Sequence, residues 1–83
     1  MKFIHYLKQS LIGLKVSFYI NFDPNHLKID TIKSFIRNDQ SYDITTEEGY
    51  QFTIDIYEEL YEENGVCHIQ TFATRKLKNE KQL

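Results

Sequence analysis

The sequence has very few of the residues that build disulfide, metal and phosphate sites. Its 83 residues include one cysteine, one proline, three glycines and no tryptophan. A single cysteine cannot form an internal disulfide, which suits a reducing compartment. No CxxC or HExxH spacing occurs, the histidines are far apart, and all three glycines fit turns or caps. We therefore expect no metal site, no phosphate-binding loop and no cofactor.

The chain also lacks a hydrophobic run of membrane-spanning length and the apolar region of a signal peptide. These absences predict a cytoplasmic protein. The length fits one domain with a modest core. We expect that domain to cover residues 1–74, and we expect the polar, basic residues 75–83 to form a flexible tail.

Charge is unevenly distributed, although the formal net charge is only −2. Residues 1–40 carry six basic residues against three acids, and residues 64–83 carry four against one. Between them, residues 41–63 contain eight acids and no basic residue. The chain is therefore basic, acidic and basic in turn, and each kind of segment is a candidate binding surface.

The stretch from Tyr50 to Thr74 predicts two strands that fold back at Asn64-Gly65. Asn and Gly tolerate the positive φ angles of a type I′ turn, and apolar, β-prone residues lie on both sides. A two-residue turn pairs Glu63 with Val66, Tyr61 with His68, Leu60 with Ile69, and Tyr57 with Phe72. The alternative for the middle of this stretch is a short helix from about Tyr57 to Asn64.

A second hairpin is predicted just before it. Thr46 and Tyr50 flank a three-residue loop in which Gly49 takes the left-handed position of a bulge. This register places Ile44 beside Phe52 and Tyr42 beside Ile54, all on the core face. The two turns agree on which face is buried, and this agreement supports both.

The first forty residues predict two helices around one strand. Apolar residues recur at helical spacing in Lys2–Ile12, and side chains alternate along Leu14–Phe22, with Phe22 on the core face. Asp23-Pro24 has the form of a helix start, so a second helix is expected from Pro24 to about Asn38. Its apolar side would carry Ile29, Ile32, Phe35 and Ile36. The alternative for this segment is one long bent strand from Leu27 to Ile36.

The resulting order is helix, strand, helix, strand, strand, strand. It predicts an α+β fold in which two helices pack on one face of a mostly antiparallel four-stranded sheet. If the segment from Leu27 to Ile36 is a strand, the chain instead has an N-terminal helix and five strands, as in a small SH3-like or Sm-like barrel. Strand order stays open in both interpretations.

The adjacent Cys67 and His68 do not predict a catalytic pair. Neighbouring side chains of a strand point to opposite faces, so this thiol and imidazole cannot meet. We expect a buried thiol and a surface histidine instead. Carboxylates are plentiful, but no recessed pocket is implied. We therefore expect no catalytic residues and no enzymatic activity.

The non-core face of the central hairpin joins exposed aromatic residues to acids, which is typical of a protein-interaction patch. The candidate partner-binding residues are Tyr57, Glu59, Tyr61, Glu63, His68 and Phe72. The competing interpretation is that the acids solvate the face and protect a long hairpin from edge pairing. The acids could also mimic phosphates and occupy the basic channel of a nucleic-acid-binding host protein. The same face could pair with a second copy of the chain.

A basic surface provides the alternative function. Lysines and arginines on the predicted second helix and the tail can follow a phosphate backbone. The candidate nucleic-acid-binding residues are Lys33, Arg37, Arg75 and Lys76. Generic solubilising charge explains such residues as well.

In size, composition and lack of catalytic motifs, the chain resembles the small accessory proteins of phages and mobile elements, which include anti-CRISPR proteins and other inhibitors of host proteins. No motif carries this resemblance, and no residue role is transferred by it. Our hypothesis is a non-enzymatic protein-binding module, such as an inhibitor or adaptor, that uses its acidic and aromatic surface. Direct binding of nucleic acid is the alternative, and no membrane partner is expected.

Overall fold

The structure is a computed structural model that describes Lys2 and residues 11–76, with Arg75 and Lys76 described by their backbone alone. Every regular element in this part of the chain is a strand, and none is a helix. The strands are β1 (Lys15–Tyr19), β2 (Leu27–Arg37), β3 (Ser41–Thr46), β4 (Tyr50–Asp55), β5 (Tyr61–Glu63), β6 (Val66–Phe72) and β7 (Arg75–Lys76). No helix long and apolar enough to cross a membrane occurs among the described residues.

The seven strands form one sheet in the order β5-β6-β1-β2-β3-β4-β7. Neighbouring strands are antiparallel except for β1 and β6, which are parallel. The predicted α+β fold, with two helices on a four-stranded sheet, is therefore wrong. Most of the predicted helix over Lys2–Ile12 lies outside the described residues.

The predicted helix from Pro24 to Asn38 is replaced by the long strand β2. Its first half pairs with β1 and its second half pairs with β3, with an irregularity in the ladder between Ile32 and Ser34. The helical interpretation placed Ile29 and Ile32 on one apolar side. In the strand these two side chains point to opposite faces, as their exposure shows: Ile32 is buried and Ile29 is half exposed. Several residues of this segment are β-branched, and they pack well on a pleated surface.

The predicted helix start at Asp23 is a turn. The carboxylate of Asp23 accepts a hydrogen bond from the backbone N–H of Asn25 at 2.9 Å, so it caps a loop rather than a helix. The strand before it is also shorter than the predicted Leu14–Phe22, because β1 ends at Tyr19. Asn21 and Phe22 then take left-handed φ angles of 58° and 53°.

The hairpin between β3 and β4 is confirmed in its register. Ile44 lies opposite Phe52 and Tyr42 opposite Ile54. Gly49 has a φ of +93°, as the bulge position requires. The carboxylate of Asp30 on β2 accepts the backbone N–H of Glu48 at 3.1 Å, which fixes the hairpin turn against the bend of β2.

The hairpin at Asn64-Gly65 is confirmed near its turn, where Tyr61 lies opposite His68 and Glu63 opposite Val66. The predicted continuous strand from Tyr50 onward is wrong, as is the alternative helix from Tyr57 to Asn64. β4 ends at Asp55 and pairs with β3 and β7, and a turn separates it from β5. This turn allows Leu60 to enter the core while Tyr57 stays exposed.

The inner faces of the two halves of the bent sheet enclose the core. The rings of Phe18 on β1 and Phe52 on β4 lie 4.9 Å apart at its centre, and Cys67 is fully buried. The alternative of an SH3-like barrel with five strands is not established. The long bent strand it contained is present, but the sheet has seven strands, and no ladder joins β5 to β7 among the described residues.

Candidate protein-binding face

The first half of the sheet, made of β5, β6, β1 and the start of β2, carries two rows of side chains on its outer face. Partners in a ladder project from the same face. One row therefore contains Tyr61, His68, Ser17 and Ile29, and the next row contains Phe72, Tyr19 and Leu27. We call these two rows, together with Phe22 from the turn after β1, the aromatic face.

The aromatic face exposes several large apolar side chains. The exposed fraction is 77% for Phe22, 62% for Tyr61, 50% for Leu27, 50% for Ile29 and 37% for Phe72. Fully accessible aromatic side chains present about 150–250 Å² each, so these fractions amount to roughly 500 Å² in one patch. The largest apolar patch of a soluble monomer is commonly about 300–600 Å² and is often functional, so this face is the candidate binding surface among the described residues.

Ring contacts hold the aromatic residues of this face next to one another. The ring centroids of Tyr61 and His68 are 5.7 Å apart, and those of Tyr19 and Phe72 are 5.6 Å apart. Phe22 continues the second row, with its ring 6.1 Å from that of Phe72. The result is a preformed surface, because neighbouring rings restrict one another's rotamers.

The ring of His68 is held by the hydroxyl group of Ser17, its neighbour on β1. The Oγ atom of Ser17, a residue only 1% exposed, lies 2.6 Å from Nδ1 of His68. Ser17 is thus too deeply buried to act on a molecule at the surface. Its hydroxyl instead orients the imidazole between the ring of Tyr61 and the strand β1.

Phe22 reaches the aromatic face through a strained turn. The turn is closed by hydrogen bonds from the N–H of Asp23 to the carbonyl of Ile20, and from the N–H of Ile20 to the carbonyl of His26. A left-handed φ costs a residue with a bulky side chain about 1–2 kcal/mol. The protein thus holds a phenylalanine in an unfavourable backbone conformation and exposes its ring to solvent. Strain of this kind is often found at functional sites.

Sequence reasoning missed Phe22 because the alternation along β1 predicted a buried side chain. The signal that could have placed it outside is the sequence after Ile20. Asn tolerates the left-handed region, and the Asp-Pro-Asn that follows is rich in turn-forming residues. Leu27 and Ile29 were missed because they were assigned to a helix.

Most of the predicted partner-binding residues do come together. Tyr61, His68 and Phe72 lie on the aromatic face, and Glu63 follows Tyr61 at the edge of the sheet on the same side. Leu60 is buried, so alternation also directs Glu59 to the outer side. The acids therefore line the β5 edge of the face.

Tyr57 does not join this group through the predicted pairing with Phe72. It lies in the turn after β4, where the Nζ atom of Lys2 stands 6.0 Å from its ring centroid. Phe72 is paired with Tyr19 of β1 instead. The prediction failed here because β4 and β5 belong to different halves of the sheet.

The predicted nucleic-acid-binding residues are divided between two strands. Lys33 and Arg37 lie on β2, whereas Arg75 and Lys76 form β7. β3 and β4 separate these strands, which places their backbones about 14 Å apart at the usual strand spacing. The guanidinium of Arg37 lies 6.0 Å from the ring of Tyr42.

The described residues include no group of three or more His, Cys, Asp or Glu side chains that could hold a metal ion. Cys67 is buried on the core face, and His68 is on the opposite face, as predicted.

Comparisons of the chain with protein-family models, with curated proteins and with solved structures found no match.

Proposed function

We propose that this chain is a non-enzymatic binding module that engages a protein partner through the aromatic face. The observation that carries this proposal is the exposure of Tyr61, Phe72 and Phe22 on one face of the sheet, where the rings of Phe72 and Phe22 are in contact. Tyr and Phe are enriched in the centres of protein interfaces, and Tyr is among the residues that most often supply the binding energy. Their fixed positions lower the entropy that binding would cost.

The charges around the face favour a protein over a nucleic acid. Glu59 and Glu63 lie on either side of Tyr61 along the edge of the sheet. A phosphate backbone would be repelled by this edge, whereas a protein surface with Lys or Arg around an apolar centre would be attracted to it. The partner we propose has such a surface.

A small module of this kind fits the role of an inhibitor or adaptor. One class of partner with a basic, partly apolar surface is the nucleic-acid-binding proteins, whose channels are lined with Lys and Arg. We propose a phage or mobile-element protein that acts on such a host protein in the cytoplasm. The free thiol of the buried Cys67 is compatible with a reducing compartment.

The experiment begins with capture of a partner and ends with a defined complex. The tagged full chain is used to recover proteins from a bacterial lysate, with and without nuclease and at two salt concentrations. The recovered partner is then purified and titrated with the wild-type chain and with Tyr61→Ala and Phe72→Ala. We expect each variant to raise the Kd by about tenfold or more, the loss typical of an aromatic hot spot.

Ile36→Ala is the matched control for these variants. Ile36 is 68% exposed, but it lies on the second half of β2, opposite Asp43 and away from the aromatic face. The control should bind like the wild-type chain. The proposal is wrong if Tyr61→Ala and Phe72→Ala bind normally, or if Ile36→Ala is as defective as they are.

The same experiment tests direct binding of nucleic acid, which remains the alternative. Recovery that disappears with nuclease, and binding lost in Lys33→Glu and Arg37→Glu variants, would support the basic surface instead. In that case the affinity for a single-stranded or duplex oligonucleotide should fall steeply with salt.

A further inference from the structure

We infer that the partner places an arginine side chain against Tyr61, with its guanidinium on the ring and its charge paired with Glu63. This inference rests on the proposed function and deepens it by naming the chemistry of the contact. It rests on the similarity of Tyr61 and Glu63 to another tyrosine and glutamate of the same protein, Tyr50 and Glu48.

The protein already holds a cation between a tyrosine and a glutamate at another place. Lys28 on β2 has its Nζ atom 2.8 Å from the carboxylate of Glu48 and 5.9 Å from the ring centroid of Tyr50. The ring attracts the ammonium through its quadrupole, and the carboxylate neutralises the charge. Lys28 thus shows that a tyrosine ring and a nearby glutamate can bind one cation together in this protein.

Tyr61 and Glu63 present the same pair of groups to the outside. They are two residues apart on the same side of β5, which puts them about 7 Å apart along the strand. Among the described residues, no Lys or Arg lies over the ring of Tyr61 or pairs with Glu63. We assign the cation that would complete the arrangement to the partner.

Arginine fits this position better than lysine. Its guanidinium is planar and can stack on a tyrosine ring while its N–H groups donate to a carboxylate beside the ring. A lysine ammonium is a strongly hydrated point charge and gains less from a flat, half-exposed ring. The neighbouring ring of His68, 5.7 Å from that of Tyr61, extends the flat surface for the aliphatic part of an arginine side chain.

The test uses short peptides as probes and NMR as the readout. The pentapeptide Ac-Ser-Leu-Arg-Leu-Ser-NH2 is titrated into the full chain while the ring signals of Tyr61, His68 and Phe72 are followed. The same peptide with citrulline in place of arginine keeps the planar shape, but it lacks the charge and has a carbonyl oxygen in place of one NH2 donor group. We expect saturable shifts of the three rings with the arginine peptide, and at least threefold weaker binding of the citrulline peptide.

Variants of the chain locate the contact. Glu63→Gln should weaken the arginine peptide by about threefold to tenfold and should leave the citrulline peptide unaffected. Glu47→Gln is the matched control, because Glu47 is an exposed acid in the turn between β3 and β4. It should bind both peptides like the wild-type chain.

The outcomes separate this inference from the function on which it rests. Equal binding of the arginine and citrulline peptides, an equal loss in Glu47→Gln and Glu63→Gln, or no shift of the Tyr61 ring would overturn the inference. If the natural partner still depends on Phe72 and Tyr61 but not on Glu63, the binding face stands and the arginine contact falls. If the partner depends on none of the three, both are wrong.

Discussion

The Oγ atom of Ser17 and the Nδ1 atom of His68 lie 2.6 Å apart and link the buried middle of β1 to the exposed side of β6. The hydroxyl donates when Nδ1 carries no proton, and its oxygen accepts when Nδ1 is protonated. The hydrogen bond can therefore persist in either state of the imidazole. It keeps the His68 ring beside Tyr61 at the centre of the aromatic face.

Replacing Ser17 with alanine should loosen this centre without unfolding the protein. The substitution fits the buried site and removes one hydrogen bond, so we expect a loss of about 0.5–1.5 kcal/mol in the free energy of unfolding. Binding of the partner should also weaken, because the His68 ring is no longer held. Urea denaturation and titration of the partner measure the two effects. A Ser17→Ala variant with wild-type stability and affinity would contradict the role given to this contact.

Replacing Phe22 should weaken partner binding without lowering the stability of the fold. Phe22→Gly relieves the left-handed strain and gives up little burial, because the side chain is 77% exposed. Glycine also makes the unfolded chain more flexible, and this offsets part of the gain from the relieved strain. The free energy of unfolding should therefore stay the same or rise by up to about 1 kcal/mol. Partner binding should nevertheless fall, because the ring beside Phe72 is lost. Destabilisation well beyond 1 kcal/mol would mean that the ring stabilises the fold rather than the complex.

Asp30 and Lys28 are neighbours on β2 whose substitution should have unequal effects. Asp30 is only 8% exposed, and its carboxylate accepts the backbone N–H groups of Thr31 at 2.7 Å and Glu48 at 3.1 Å. Asp30→Ala leaves these donors without their acceptor at the bend of the sheet, and it should cost about 1–3 kcal/mol in the free energy of unfolding.

Lys28→Ala removes a partly exposed ion pair with Glu48 and should cost less than about 1 kcal/mol. The pair should matter more at low salt, since screening weakens exposed charges. Denaturation of both variants at two salt concentrations makes the comparison. Equal losses at both positions would show that the hairpin turn is not fixed through Asp30.

The two turns were predictable from the sequence because turn chemistry is local. Asn64-Gly65 and Gly49 need positive φ angles, and the residues around them alternate, so the register near each turn follows from a few positions. The path of β2 depends on distant partners instead. Its apolar residues are compatible with a helical face, and only pairing with β1 on one half and β3 on the other favours the strand.

The candidate site was predicted in part for the same reason. Tyr61, Glu63 and His68 lie close to the Asn64-Gly65 turn, so local register brought them together correctly. Phe72 reaches the face by its pairing with Tyr19 in a parallel ladder, which no local pattern indicates. Leu27 and Ile29 join the face only because β2 lies beside β1, and a single sequence does not contain that information in a readable form.

Asp43 on β3 offers a test of the second half of the sheet that is independent of any partner. The side-chain amide of Asn38 and the hydroxyl of Thr53 donate to its carboxylate, and they hold the pKa of Asp43 below its ordinary value. The Thr53 hydroxyl is 2.7 Å from Oδ1 of Asp43. Thr53→Val keeps the shape of the side chain and removes this donor, so the pKa of Asp43 should rise. It should stay below the ordinary value, because the Asn38 amide remains.

The direction of the stability effect follows from this lowered pKa. A carboxyl group that holds its proton less tightly in the folded state stabilises the fold at pH values above its unfolded pKa, and that contribution is lost as the pH falls through the folded pKa. Thr53→Val should therefore reduce the pH dependence of unfolding on the acid side. An NMR titration of the Asp43 carboxyl carbon measures the pKa directly, with Thr45→Val as the control that should leave it unchanged. A wild-type pKa for Asp43 in the Thr53→Val variant would show that the Thr53 hydroxyl contributes nothing to the shift.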